Sequence, residues 1–140
     1  MPSNFVLGFD YYPEHWGEEE WPQDLTWMRE LGVSCIRIAE YAWTRLEPEE
    51  GRFEFAWLDR FFELCAKHEM SIILGTPSDG IPPWAWQKYP EVVSMEEDGR
   101  RDTTWRRMKC PTSAKLAQLV ERINTKLCER YGNHPQLIGW

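Results

Sequence analysis

The chain has 140 residues, 42% of them hydrophobic and 28% charged, which suits one soluble globular domain with its own core. Its 16 Lys and Arg against 23 Asp and Glu leave a formal net charge of −7, an acidic balance that argues against a nucleic-acid partner. No apolar run approaches the roughly 18 residues of a membrane span, and "MPSNFVLGFDYY" lacks the basic start and apolar stretch of a secretory leader.

In chain order, "FVLGFDYY" (5–12) is an apolar, aromatic strand candidate. Trp21, Leu25, Met28 and Leu31 follow at helical spacing, with Pro22 suited to the first turn and Gly32 to the stop. "VSCIRIA" (33–39) is β-branched and strand-like, and Leu58, Phe61, Phe62 and Cys65 form a second helical stripe. "SIILGT" (71–76) is a third strand. Leu116, Leu119, Val120, Ile123 and Leu127 mark a third helix, capped by Ser113 or Thr112 and stopped by Gly132. "PQLIGW" (135–140) is a fourth strand.

This β-α-β-α-β-α-β order implies a parallel sheet with crossover helices. A doubly wound sheet would carry a Gly-rich phosphate turn after strand one. The chain instead has the bulky, acidic "YYPEHWGEEEW" there, and no GxGxxG or P-loop anywhere. A (β/α)8 barrel fits better. The loops after the strands are rich in Trp, Tyr, His, Glu and Arg, and the turns before them ("ELGVS", "KHEMS", "YGNHPQ") are short. A barrel needs about 250 residues, so residues 1–140 read as the first half of a TIM barrel, ending at strand four.

Candidate chemistry lies at the strand ends. Glu40, flanked by Tyr41 and Trp43, is placed to bond sugar hydroxyls, or else to pair with Arg45. Arg37 lies inside strand two, where burial would demand a carboxylate such as Asp10. Glu47, Glu49 and Glu50 read as a solvated loop. Of nine Trp, Trp27 and Trp57 read as helix core. Trp16, Trp43, Trp84, Trp86 and Trp105 suit either the core or the flat wall of a sugar pocket. The connection from Pro77 to Ser113 is long enough to be a lid or pocket wall, and its prolines stiffen it. It ends in "WRRMKCP", where Arg106 and Arg107 offer planar donor forks. Cys35, Cys65, Cys110 and Cys128 form no CxxC pair, which predicts reduced thiols and a cytoplasmic location. His15, His68 and His134 are dispersed, with no catalytic triad. Glu14, Glu40 and Asp79 make no convincing pair of the kind a retaining glycosidase needs.

The blocks "GFDYYPEHWGEEEWPQDL", "RIAEYAWTRLEPEEGRFEF", "LGTPSDGIPPWAW", "EDGRR" and "WRRMKCPTS" closely resemble the N-terminal part of the family 42 glycoside hydrolases, the microbial β-galactosidases, from Phe5 to Trp140. The resemblance implies a (β/α)8 barrel that cleaves terminal β-D-galactosides with retention. Its acid/base Glu would follow an Asn at the end of strand four, and its nucleophile Glu would end strand seven. "IGW" matches the start of the acid/base segment, so the chain is expected to stop a few residues short of that Asn-Glu and to carry neither catalytic carboxylate. By the same resemblance Arg106 contacts the galactose, Glu40 lines the same subsite and Arg37 approaches the nucleophile, with Trp43 beside them. Cys110 matches the first Cys of a zinc cluster found in some members. Asp79-Gly80 departs from the small or Thr residues usual there.

The expectation is therefore part of a retaining β-galactosidase, inactive alone, taking a β-galactoside or galactose. No cofactor, nucleic acid or membrane is expected. The half-barrel should self-associate or depend on its missing half. The alternatives are a non-catalytic sugar-binding or self-associating half-barrel, or another retaining β-glycosidase.

Overall fold

A computed structural model describes residues 6–101, 103 and 108–140. The chain divides into two compact units, Met1–Ala39 with Phe55–Gly75 and Asn133–Trp140, and Glu40–Glu54 with Thr76–Gly132.

The first unit contains the sheet. Strands β1 (Gly8–Asp10), β2 (Cys35–Ile38), β3 (Ser71–Leu74) and β4 (Leu137–Gly139) lie parallel in the order β1-β2-β3-β4. Each crossover advances one strand in the same direction, as in a (β/α)8 barrel; a doubly wound sheet would reverse. The register sets Asp10 beside Arg37 and Arg37 beside Ile73. The opposite pleat carries Ile36, Ile38, Ile72 and Leu74, all fully buried.

Helices α1 (Trp21–Glu30) and α3 (Ala56–Lys67) belong to this unit. Pro22 sits in the first turn of α1, where its missing N–H costs nothing. The helix ends in a Schellman turn, Gly32 N–H to Arg29 and Val33 N–H to Met28, with Gly32 at φ +83°. Helix α3 ends in the same way at Glu69, which takes φ +52°. Its stripe Trp57, Leu58, Phe61, Phe62 and Cys65 is buried. At about 1.5–3 kcal/mol for each large apolar side chain, that stripe is the main adhesive of the unit. Phe61 meets Trp21 edge-on at 5.1 Å and stacks on Tyr11 at 5.9 Å. The Tyr11 hydroxyl donates to Asp24 at 2.5 Å, and burial, then that bond, push the phenol above its ordinary range.

Two expectations change here. Trp27 is 57% exposed and Leu31 68% exposed, so the buried stripe of α1 narrows to Trp21 and Leu25. Trp27 and Leu31, with Phe9 and Trp16, line a groove of about 420 Å³ along β1. Arg37 is not buried either: its side chain is 45% exposed. The expected partner is present, since Arg37 binds Asp10 through two bonds of 2.8 and 3.0 Å.

The second unit holds what the sequence presents as loops. Helix α2 (Trp43–Leu46) follows β2, and α4 (Pro83–Lys88) opens the long connection after β3. That connection is packed, with Ile81, Ala85, Val92, Val93 and Met108 buried and a bridge between Val93 and Lys109. Helix α5 (Ala114–Tyr131) buries Leu116, Leu119, Ile123, Leu127 and Tyr131. Its N-cap is Ser113, whose hydroxyl accepts from the Leu116 N–H at 3.2 Å. Gly132 ends the helix in a right-handed conformation, φ −56°, so it does not act as a left-handed cap. Among the described residues no helix is long and apolar enough to cross a membrane.

Candidate functional site

Of the described site residues expected from sequence, Arg37 lies near the C-terminal end of β2, and Glu40 and Trp43 lie in the segment that follows it. Asp10 ends β1. Its carboxylate and the Arg37 guanidinium form a planar pair open to solvent. Glu40 is the second residue after β2 and is half-buried. It follows Ala39, which takes φ +65°, so the chain turns sharply as it leaves the strand. Arg106, Arg107 and Trp105 lie outside the described residues.

Trp43 is fully buried, and its indole N–H donates to Glu47 at 2.9 Å. It packs the interior of the second unit and presents no face to a sugar. Trp84 is bound as well, donating to the Glu47 carbonyl at 2.8 Å. Asp79 pairs with Lys109 at 2.7 Å. Beside it Gly80 takes φ +68° with Tyr41 close by: a Cβ there would meet the Tyr41 ring at 3.4 Å. The Asp-Gly departure thus serves a close turn that a larger residue would strain.

The second unit also contains a network that sequence reasoning placed in solvent. Glu47 is 0% exposed. Its carboxylate accepts from Trp43, from the Gly51 N–H at 2.7 Å, and from the Arg122 guanidinium of α5. Arg122 reaches on to Glu50 at 3.6 Å and lies over the Phe53 and Trp84 rings at 6.0 and 5.9 Å. Glu50 accepts from Lys88 at 2.5 Å and from the Tyr89 hydroxyl at 3.2 Å. The Lys88 bond holds the Glu50 carboxyl below the usual carboxylate range, against a smaller opposing effect of burial. Only Glu49 of the three glutamates behaves as a solvated side chain, pairing with the exposed Arg52. A local signal for Glu47 exists: it lies four residues after Trp43, on the helical stripe that buries Ala42, Trp43 and Leu46.

Cys110 is half-buried, 3.4 Å from the Thr112 hydroxyl, whose bond pulls its thiol below the ordinary value. Among the described residues no group of three or more His, Cys, Asp or Glu side chains could hold a metal ion. All four cysteines are free.

The model of the β-galactosidase family glycoside hydrolase 42 matches residues 10–140. The Thermus thermophilus β-galactosidase is 42% identical over 136 residues, covering 96% of this chain and 21% of that protein. The Clostridium cellulovorans β-galactosidase BgaA is 39% identical over 135 residues, covering 96% of this chain and 20% of that protein. The solved β-galactosidase of the Antarctic haloarchaeon Halorubrum lacusprofundi superposes with a TM-score of 0.91 at 38% identity, over 97% of this chain and 20% of that one. The chain thus spans about a fifth of the length of the curated relatives it matches.

Proposed function

This chain belongs to glycoside hydrolase family 42, and on that premise we propose that it is the N-terminal part of the catalytic barrel of a retaining β-galactosidase. The carrying observation is a family match running from residue 10 to 140, along a sheet whose four parallel strands follow chain order. Retaining hydrolysis uses two carboxylates about 5–5.5 Å apart, one as acid/base and one as nucleophile. In this reading both lie in segments beyond this chain, which supplies binding groups. Arg106 donates to hydroxyls of the galactosyl ring. Glu40 accepts from them at the same subsite. Arg37, bound to Asp10, approaches the nucleophile. Trp43 contributes packing within the loop that Glu40 begins.

A longer parent also accounts for the exposed apolar side chains at the sheet's two edges. Phe9 lies on β1 with Trp27 and Leu31 beside it, and Ile138 and Trp140 lie on and beside β4. A further part of the same barrel would cover them. The free cysteines fit a cytoplasmic enzyme.

The test compares this chain with the longer parent on nitrophenyl β-galactoside, β-glucoside and α-arabinoside. The parent is expected to prefer the galactoside and the 140-residue chain to be inactive. Turnover by the chain alone would overturn the division of labour. A parent preferring glucoside or arabinoside would keep the glycosidase and lose the galactosidase. A chain that associates with itself in sedimentation, when the parent does not, is the behaviour expected of uncovered edges.

A further inference from the structure

The loop after β2 begins at Glu40 and runs to Glu54, and its own secondary structure is too small to hold it. Helix α2 has four residues and no side-chain cap, far below the length at which a helix sustains itself. What holds the loop is Glu47. Its carboxylate ties the loop to itself through Trp43 and Gly51 and to α5 through Arg122, while its carbonyl ties the loop to Trp84 of α4. Glu50 adds a second tie, to Lys88 and Tyr89. Three segments distant in sequence meet on one buried residue, two of them on its carboxylate and the third on its carbonyl.

A buried ion pair brings little net stability over an apolar residue of similar size. It brings a single geometry, because a fork of donors and a carboxylate satisfy each other in few arrangements. We propose that Glu47 and Arg122 are positioning residues, a clamp that fixes the loop bearing Glu40 against α5 and the long connection after β3. This deepens the β-galactosidase reading and rests on it for the role of Glu40. Nothing in the pair touches a substrate; it acts through where it holds Glu40.

The experiment uses the full-length parent with Glu47→Gln, Arg122→Met and Arg122→Lys. Two readouts are taken on folded protein: kcat and KM on nitrophenyl β-galactoside, and amide hydrogen exchange by segment. The expected result is a fall in kcat/KM of about tenfold or more for Glu47→Gln and Arg122→Met, carried mainly by kcat. Exchange should quicken over residues 40–46 and stay unchanged in β2 and β3. Arg122→Lys, which keeps the charge, should recover part of the rate. Activity within about twofold of wild type overturns the clamp. So does faster exchange spread evenly over α5 and the long connection, because that is general destabilisation. If Glu47→Gln does not fold, the contrast of Arg122→Lys with Arg122→Met carries both readouts. A wild-type parent without β-galactosidase activity would refute the function above, and the exchange pattern would still judge the clamp.

Discussion

Among the described residues of the sheet-bearing unit, the fully buried side chains are apolar and two bidentate ion pairs lie in solvent. Asp10–Arg37 and Glu18–Arg60 are both exposed, while Phe61, Phe62, Ile36 and Ile72 are buried. In the loop-bearing unit a carboxylate is buried as completely as the Trp43 ring beside it. The first unit can be held by area alone, since two helices and a sheet present broad apolar faces to one another. The second sets one long helix, α5, against the short α2 and α4 and a connection paired at the Val93–Lys109 bridge. Its polar backbone needs specific partners, and one buried glutamate supplies several of them.

The contrast can be broken most sharply at Phe61. Phe61→Ala removes the ring that packs on both Trp21 and Tyr11, and should cost about 3–5 kcal/mol in equilibrium urea unfolding. A cost below that of an exposed Leu31→Ala would mean the sheet unit is not held by its core. Next comes Glu47→Ala, which leaves the Arg122 guanidinium facing aromatic rings without its carboxylate. About 3 kcal/mol is expected, and Glu47→Ala combined with Arg122→Met should recover part of it. If the double variant is worse by the sum of the singles, the two residues do not act as a pair. Ser113→Ala removes the cap of α5 and should cost about 1 kcal/mol, read as a shift in urea midpoint with unchanged slope.

A smaller effect is expected from pH. Glu50 is held below its ordinary value by the Lys88 bond, so its contribution is present above the unfolded carboxyl value of about 4.3 and fades as pH falls through the folded value. Lys88 is raised, first by its bond to Glu50, so its contribution is present below about 10.4 and fades as pH climbs past the folded value. Glu50→Gln should flatten the stability profile at both ends. An unchanged acid limb would show that this pair does not survive in solution. The smallest effect belongs to the sheet unit: Arg37→Met breaks an exposed pair and should change stability by no more than about 0.5 kcal/mol. A large loss there would erase the contrast between the units.

Hydrophobic period and turn chemistry made the scaffold readable from sequence. The stripe of Phe61, Phe62 and Cys65, the runs "CIRI" and "SIIL", Pro22, Gly32 and the Ser113 cap all act within one or two turns of chain, and their order alone implies parallel strands. The resemblance to family 42 rested on equally local blocks, at the ends of strands one and two and around the long connection. Arg37 and its partner Asp10 were also within reach, because one strand's alternation and a neighbouring strand's end name the pair. The exposure of Arg37 and Trp27 was not, since it depends on which layers cover a face. Glu47 shows the limit most plainly. In "LEPEEGRFEF" it is one of several acidic residues, and its place four residues after Trp43 is all that locally sets it apart from the solvated Glu49. Its burial is decided by Arg122, 75 positions further along the chain, and by Trp84. A charge is tolerated inside a protein only where distant donors converge on it, and that convergence exists only once the tertiary structure has formed.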